Sequence, residues 1–274
     1  MKLRKCFIAS AGHGTRMGEI GKLLPKPLWP IFDKTILDLQ LDYLAEIGIS
    51  EIFLNAHHLS DQIMNWAKDK NVEVLPEKEI LGSGGCIHNL KSKYEIDEKV
   101  LIINADQFLF FKHSFINEMI SEMSQKDACA YLLAIKVDGH SGYNETVISN
   151  NQLVDIDSPK ENSYYTYSGV GLLDLEKLDL KNGPSSFFNT VCNYKEKTVL
   201  MREAPDSDYW DFGTIDRYVS SMKKSIEENQ MNSFLKRNNV TIECQNNQIN
   251  MMNDEFILDF ERREIRYQKL IHSF

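Results

Sequence analysis

The N-terminal half of the chain alternates short apolar runs with stretches of helical periodicity, and this alternation limits the folds that the chain can adopt. Apolar residues three or four positions apart, such as Leu37, Leu41 and Leu44, indicate amphipathic helices, whereas short apolar runs indicate strands. The predicted order is strand 6–9, helix 36–47, strand 51–55, helix 61–68 capped by Ser60, strands 72–75 and 100–104, helix 115–123 and strand 128–137. This order is typical of an α/β Rossmann-like domain with a mostly parallel central sheet flanked by helices.

Helical stretches become fewer beyond residue 138. Strand-like pieces at 146–149, 169–173 and 198–202 predict an extension of the sheet, and an apolar stripe predicts a helix from about Thr214. Residues 228–274 are rich in Asn and Gln and are compatible with strands, with a helix or with a loosely attached tail. We therefore predict a main domain at 1–227 and a C-terminal extension at 228–274 that packs on the same domain.

Charge and cysteine usage exclude several classes of protein. The formal net charge of −9 argues against a nucleic-acid surface, because such binding draws most of its affinity from Lys and Arg. The apolar run at 6–11 is too short for a signal peptide or a membrane span. Five cysteines without C-x-x-C spacing indicate free thiols in a reducing compartment. We expect a cytoplasmic protein without nucleic-acid or membrane partners, and the sequence leaves a homo-oligomer open.

A glycine-rich segment, G-x-G-T-R at 12–16, follows the first predicted strand directly. Glycines at such a turn let backbone amides approach an anion, and Arg16 offers a forked guanidinium for phosphate oxygens. The dinucleotide fingerprint would need glycine at Met17, which argues against an NAD-dependent oxidoreductase, and the chain contains no G-x-x-x-x-G-K-[ST] phosphate loop. Taken alone, the segment is equally compatible with a simple strand-terminating turn.

A single lysine, Lys26, stands between Pro25 and Pro27 in the segment L-P-K-P-L. Two prolines predict an extended backbone around the lysine, which favours a fixed phosphate contact over a solvated surface position. Farther along the chain, Asp106 and Asp211 follow strand-like runs and offer the hard oxygen ligands that Mg²⁺ prefers. Because nucleotidyl transfer needs positioning and charge neutralisation, these residue types point to that chemistry.

Several segments together resemble the sugar 1-phosphate nucleotidyltransferase family, whose signature is G-x-G-T-R followed by P-K-P-L. The segment at 81–85 resembles the glycine-rich base-recognition segment of the family, and 104–106 resembles its magnesium-binding strand end. The segment at 167–171 resembles the sugar-pocket strand, and 210–214 resembles the source of the second metal carboxylate. The resemblance extends over about residues 3–225. It is closest to N-acetylmuramate 1-phosphate uridylyltransferases, and the glycine-rich segment is also similar to heptose 1-phosphate guanylyltransferases.

The resemblance implies the nucleotide-diphospho-sugar transferase fold and a Mg²⁺-dependent reaction of an NTP, UTP by these motifs, with a sugar 1-phosphate. The alternatives are a GTP-dependent heptose or mannose 1-phosphate guanylyltransferase and a non-catalytic nucleotide-sugar sensor. The implied roles are catalysis by Arg16 and Lys26, nucleotide binding by Ala11, Gly12, Gly14, Thr15, Glu77, Gly82, Gly84 and Gly85, metal binding by Asp106 and Asp211, and sugar binding by Asn144, Ser168 and Gly169.

A few residues depart from the family pattern or admit two interpretations. Asn144 stands where relatives often have glycine, and Lys160 is a candidate sugar-phosphate ligand that is better interpreted as a surface lysine. Adjacent side chains point in different directions, so the pair at 57–58 is interpreted as structural rather than as a histidine metal site. The aromatic run at 108–111 is predicted to pack in the core.

Overall fold

The computed structural model describes residues 3–139, 141–227, 229–242, 244 and 247–274. Within these ranges the helices are α1 Ile36–Glu46, α2 Ser60–Ala67, α3 Gly82–Tyr94, α4 Phe115–Gln125, α5 Phe187–Thr190, α6 Ile215–Glu227 and α7 Asn229–Arg237. The strands are β1 Lys5–Ala9, β2 Pro30–Ile31, β3 Lys34–Thr35, β4 Glu51–Ala56, β5 Glu73–Pro76, β6 Lys99–Asn104, β7 Gln107–Phe110, β8 Ala130–Asp138, β9 Glu145–Ser149, β10 Gln152–Asp157, β11 Ser163–Asp174, β12 Val199–Glu203, β13 Asp208–Asp211, β14 Gln248–Met251, β15 Phe256–Asp259, β16 Glu264–Tyr267 and β17 Leu270–Ser273.

Nine of these strands form a central sheet in the order β5-β4-β1-β6-β11-β8-β12-β10-β9. Strand β1 runs parallel to both neighbours, so that Phe7 is paired with Phe53 on one side and with Ile102 on the other. The predicted α/β Rossmann-like class is confirmed, but the sheet is mixed rather than mostly parallel. Four of its described pairings are parallel and four are antiparallel. The antiparallel part arises because β9 and β10 form a hairpin and β11 returns without a helical crossover.

Alternate residues of the central strands pack into two apolar clusters on opposite faces of the sheet. Cys6 and Ile8 belong to the cluster that also contains side chains of α1, α4 and α6, whereas Phe7 belongs to the cluster beneath α3 and α5. The predicted burial of the aromatic run is confirmed, since Phe108 and Phe110 are 1% and 7% exposed. Among the helices that the structure describes, none is both long and apolar enough to cross a membrane.

Two helices differ from the sequence prediction. Helix α3 begins at Gly82, inside the segment at 81–85. No helix was predicted there, and glycine is a poor helix former. In α2, Ser60 is the first helical residue rather than the cap. The cap position is occupied by Leu59, which has a left-handed backbone (φ 53°) and makes no side-chain capping hydrogen bond.

The C-terminal extension forms α7 followed by a four-stranded antiparallel meander, β14 to β17. Phe256 of β15 is fully buried, and its ring lies 5.2 Å from that of Trp29 and 6.1 Å from that of Tyr218. His272 of β17 approaches the turn that follows the segment at 12–16, because a Cβ on Gly18 would lie 3.0 Å from the His272 Nδ1 atom. The meander therefore packs against the main domain. Positions 228, 243, 245 and 246 of the predicted extension lie outside the described residues.

Candidate active site

A cavity of about 360 Å³ lies beyond the carboxyl ends of β1 and β6, next to the first turn of α3. Parallel strands and helix N-termini present unpaired backbone groups at this edge of a sheet, which is where α/β folds bind ligands. Six of the predicted site residues line the cavity: Ala11, Gly12, Arg16, Lys26, Gly82 and Asp106. The strand order therefore brings together segments that are about eighty positions apart in the sequence.

The glycine-rich segment leaves β1 and turns sharply around Gly14, whose φ of 65° lies in the left-handed region. A 3-10 turn at Thr15–Met17 follows, and the Met17 amide donates to the Gly14 carbonyl over 2.9 Å. A Cβ on Gly12 would meet no heavy atom within 4 Å, so this glycine faces open space at the cavity wall. Gly14 and Thr15 instead line a smaller neighbouring cavity of about 230 Å³.

Lys26 forms an ion pair with the Asp106 carboxylate at the cavity wall. Both side chains are largely enclosed, with 16% and 15% of their surface exposed. The predicted extended backbone is present at Pro25 only, because Lys26–Leu28 forms a 3-10 turn that the Trp29 amide closes by donating to the Lys26 carbonyl. The lysine backbone is therefore held by a hydrogen-bonded turn rather than by an extended segment.

Asp106 and Asp211 lie side by side although they are far apart in sequence. Strands β7 and β13 pair so that Gln107 lies opposite Asp211, and the Phe212 amide donates to the Asp106 carbonyl over 2.8 Å. A Cβ on Gly213 would lie 2.9 Å from Asp211 Oδ1 and 3.1 Å from Asp106 Oδ2. The two carboxylates therefore converge on a space that only glycine at 213 leaves open.

An arginine and a tyrosine that sequence reasoning missed complete this part of the wall. Arg217 Nη1 lies 3.1 Å from Asp211 Oδ2 and donates to the Tyr143 hydroxyl over 2.7 Å. Its guanidinium carbon lies 4.3 Å from the centre of the Tyr143 ring, and Tyr143 in turn donates to the Asp211 carboxylate. Burial, followed by the negative charge of Asp211, raises the pKa of Tyr143 to about 12, so the hydroxyl remains a donor at neutral pH.

One sequence signal pointed to Arg217. It lies in the first turn of α6, six positions after Asp211, where the helix dipole disfavours a positive charge. A cation placed there needs a nearby carboxylate. Tyr143 carried no comparable signal, because only the tertiary fold brings it to Asp211.

Glu77 lies beneath the cavity rather than in its wall. Its Oε1 accepts a hydrogen bond from Asn55 Nδ2 over 2.7 Å, and its Oε2 accepts one from the Leu81 amide over 3.0 Å. Asn55 Oδ1 accepts hydrogen bonds from the amides of Ser10 and Ala11. Glu77 is 7% exposed, so the structure differs from the predicted base contact and places it as a support that joins the glycine-rich segment to α3.

Gly84 and Gly85 are also buried away from the cavity wall. A Cβ on Gly84 would lie 2.6 Å from Thr190 Oγ1, and a Cβ on Gly85 would lie 2.6 Å from the Gly183 carbonyl oxygen. Close packing of α3 against the segment before α5 therefore explains both glycines, in place of the ligand contacts expected from the sequence. Gly82, with φ 71°, is the predicted glycine of this segment that lines the cavity.

The three predicted sugar-binding residues are not part of the cavity wall. Asn144 is exposed, whereas Ser168 is fully buried and its hydroxyl accepts a hydrogen bond from the Val170 amide. Gly169, with φ 82°, lies directly behind Asn104, a residue that does line the cavity. The interpretation of Lys160 as a surface residue is confirmed by its 69% exposure and its local ion pair.

The two converging carboxylates are the residues here that could hold a metal ion. No group of three or more His, Cys, Asp or Glu side chains suited to a metal is found in the part of the chain that the structure describes. Mg²⁺ is commonly held by one or two carboxylates together with substrate phosphates and water. Asp106 and Asp211 offer two carboxylates that converge beside Gly213. This pair fits Mg²⁺ better than a metal ion whose ligands must all come from the protein.

Similarity to known proteins extends over more than half of the chain. The family model of the MobA-like NTP transferase domain matches residues 6–154. The putative mannose-1-phosphate guanyltransferase of Sulfolobus acidocaldarius is 25% identical over 159 residues, which are 56% of this chain and 44% of that protein. The D-glycero-alpha-D-manno-heptose 1-phosphate guanylyltransferase of Campylobacter jejuni is 34% identical over 109 residues, 38% of this chain and 48% of that protein. The chain thus spans less than half the length of these two curated relatives.

A solved structure also resembles the chain. HddC from Yersinia pseudotuberculosis, complexed with GMP-PN, superimposes with a TM-score of 0.66 over 81% of this chain and 99% of that chain, at 23% identity. At 23% identity, this structural similarity is evidence for the fold alone. The predicted resemblance to the sugar 1-phosphate nucleotidyltransferases is confirmed by the names of the relatives and by the family match.

Proposed function

Because the chain belongs to the family of MobA-like NTP transferase domains, we propose that it transfers a nucleoside monophosphate from an NTP to a sugar 1-phosphate and releases pyrophosphate. The observation that supports this most is the meeting of Arg16, Lys26 and Asp106 at one cavity, with Asp211 directly behind Gly213. Cations for phosphate and carboxylates for a metal are the parts that nucleotidyl transfer requires.

In the proposed reaction, a phosphate oxygen of the sugar 1-phosphate attacks the α-phosphorus of the NTP. The bond from the α-phosphorus to the bridging oxygen breaks, and pyrophosphate leaves on the opposite side. Lys26 neutralises charge at the α-phosphate, and Arg16 holds the departing phosphates. Mg²⁺ held by Asp106 and Asp211 would neutralise phosphate charge and hold the reacting oxygens in place.

Lys26 and Arg217 each form an ion pair with one of the two carboxylates. Two carboxylates without cations would repel each other and disfavour their ionised forms. The Lys26 ammonium is therefore placed both to offset the charge of Asp106 and to contact a phosphate in the same cavity. The backbone amide of Gly12, at the cavity wall, adds a donor without adding charge.

The nucleobase requires a separate proposal. Uridine is the nucleoside that the sequence motifs at 167–171 and 210–214 predict, whereas the two relatives described above are guanylyltransferases by name. We keep UTP as the proposed donor and GTP as the alternative. Calorimetry that compares the binding of UTP and GTP distinguishes the two donors. Tighter binding of GTP than of UTP would make GTP the proposed donor.

The activity is tested by a matrix of four NTPs against several sugar 1-phosphates, with pyrophosphate release as the readout. Turnover by the wild-type chain should require Mg²⁺ and should be lower in Asp106→Asn at the same Mg²⁺ concentration. Asp206→Asn is the matched control, because Asp206 is an exposed residue paired only with exposed Lys112 among the contacts described. Pyrophosphate release that is absent from every cell of the matrix would reject the proposed function.

A further inference from the structure

A second cavity, of about 450 Å³, lies on the face of the central sheet that α3 and α5 cover. Its wall is mostly apolar, and among the residues described around it none is Asp, Glu, Lys, Arg or His. Three rings of the wall pack together: Tyr167 and Phe187 stack at 5.7 Å between centroids, and Phe188 meets both edge-on. An apolar group suits this cavity, because a phosphate or a carboxylate would find no cation in its wall.

This apolar cavity joins the proposed active site. Ala9, Ser83 and Asn104 line both it and the cavity of about 360 Å³ that contains Lys26 and Asp106. A ligand whose phosphate lies at Lys26 can therefore place a neighbouring group in the apolar cavity. The polar side chains at the junction of the two cavities are Ser83 and Asn104.

A chain of hydrogen bonds that ends at Asp211 sets the orientation of the Asn104 amide. The Tyr143 hydroxyl donates to the Asp211 carboxylate, so it accepts from Gln107 Nε2 at 3.3 Å. Gln107 Oε1 then faces Asn104 and accepts a hydrogen bond from Asn104 Nδ2 over 2.8 Å. Because Nδ2 is directed at Gln107, Asn104 Oδ1 is the amide atom that can accept a hydrogen bond from a ligand.

Ser83 presents the complementary group. Its hydroxyl oxygen accepts from the Phe187 amide over 3.1 Å, so its hydroxyl hydrogen is available to a ligand. The junction thus offers one acceptor, Asn104 Oδ1, and one donor, the Ser83 hydroxyl. An acylamino group carries one N–H donor and one carbonyl acceptor, followed by an apolar chain. It therefore matches both the junction and the apolar cavity, whereas a protonated free amine would meet an uncharged wall.

We propose that the apolar cavity holds the acyl chain of an acylamino sugar 1-phosphate and that Asn104 determines this specificity. The proposal rests on the proposed function, because it names the class of sugar substrate for that reaction. The acyl chain should raise kcat/KM at least about tenfold, since one methylene in an apolar pocket is worth about 10- to 200-fold. A nucleobase in the same cavity would instead make the affinity for the triphosphate depend on the cavity wall.

The test compares N-acetyl and free-amine forms of hexosamine 1-phosphates in the gluco, galacto and manno configurations. Pyrophosphate release is the readout, and UTP and GTP are the donors. Wild type should prefer an N-acetyl form at least about tenfold. Asn104→Ala should reduce this preference about two- to tenfold, the effect of one neutral hydrogen bond. Asn162→Ala, at an exposed position outside both cavities, is the matched control.

A second variant fills the apolar cavity and gives a result that misfolding cannot produce. Ile156 is half-buried in the cavity wall. Ile156→Phe should lower the ratio of kcat/KM for N-butanoyl to that for N-acetyl forms and should leave the KM for the triphosphate unchanged. Val154→Phe, at a side chain of the same strand that is 45% exposed, is the control and should leave the ratio unchanged.

Equal use of acylated and free-amine forms by wild type would overturn the proposal. So would an Ile156→Phe variant that changes the KM for the triphosphate but not the acyl ratio, because the nucleobase would then occupy the cavity. Calorimetry in the presence of a non-hydrolysable triphosphate analogue separates this proposal from the proposed function. An acylated sugar 1-phosphate that binds but supports no turnover would reject the proposed function and leave the cavity assignment standing. Turnover of unmodified sugar 1-phosphates alone would do the reverse.

Discussion

Arg217 Nη1 lies 3.1 Å from Asp211 Oδ2, and both side chains are mostly enclosed. The same guanidinium donates to the Tyr143 hydroxyl and to the Ser141 carbonyl. Arg217 thereby joins helix α6 to the loop before β9 and also contacts the carboxylate that we propose as a metal ligand. Groups that orient a metal ligand are often as necessary as the ligand itself.

We therefore expect Arg217→Ala to lower kcat/KM by about 10- to 100-fold, the range typical for the loss of a residue that orients a metal ligand. Tyr143→Phe keeps the ring beneath the guanidinium and should lose less. Arg237→Ala, at an arginine that is 61% exposed, is the control and should leave turnover unchanged. An Arg217→Ala rate within threefold of wild type would show that Asp211 does not depend on this arginine.

Lys26 is the subject of a second prediction. Removing a preorganised donor aimed at developing charge typically costs about a hundred- to a thousand-fold in rate, and Lys26→Ala should fall in this range. The variant should fold, because the backbone turn between Pro25 and Leu28 does not use the side chain. Lys22→Ala removes an exposed lysine whose described partner is Glu19 and serves as the control. A loss of less than about tenfold would assign Lys26 a minor role.

Part of the cavity wall could be predicted because the groups that we propose for phosphate and metal binding come soon after strands in the sequence. Arg16 comes after β1 and Asp106 after β6, and the carboxyl ends of neighbouring parallel strands must meet. The ion pair between Lys26 and Asp106 could not be predicted, because local patterns carry no information about contacts between residues eighty positions apart. The same limit explains why Tyr143 was missed.

The glycines of the 81–85 segment show a different limit. A glycine is compatible with a ligand contact, a left-handed backbone or close helix packing, and the sequence does not distinguish these. The structure assigns Gly84 and Gly85 to packing against 183–190 and Gly82 to a left-handed backbone at the cavity. Helix α3 was missed for the same reason, since its first turn contains three glycines that local propensity opposes.

The C-terminal meander should affect stability rather than chemistry. Phe256 is fully buried against Trp29 and Tyr218, and the removal of a buried Phe side chain typically costs about 3 to 5 kcal/mol of unfolding free energy. Urea denaturation of Phe256→Ala should show a decrease of this size in the free energy of unfolding. At low temperature, where the variant is folded, it should retain its turnover. Ile271→Ala, at a side chain that is 63% exposed, should change stability by less than about 0.5 kcal/mol. A stable Phe256→Ala variant without turnover would instead place the meander in the active site.

Gly213 should tolerate no side chain. The Cβ of Gly213→Ala would lie 2.9 Å from Asp211 Oδ1 and 3.1 Å from Asp106 Oδ2, so the carboxylates must move apart. We expect a higher Mg²⁺ concentration for half-maximal turnover, because carboxylates that are pushed apart hold a cation less well. Gly139→Ala is the matched control, since its Cβ would find ordinary contacts at 3.4 Å or more. An unchanged Mg²⁺ requirement would show that the two carboxylates do not act at this point.

Asp106 and Asp211 should act as one metal site. Both approach the space beside Gly213, and each has a cationic partner of its own, Lys26 and Arg217. Asp106→Asn and Asp211→Asn should each raise the Mg²⁺ needed for half-maximal turnover, because each removes one anionic ligand. The double variant should lose much less than the product of the two single losses, since groups that act as a unit are not additive. Strictly multiplicative losses in this double-mutant cycle would show that the two aspartates do not share a metal.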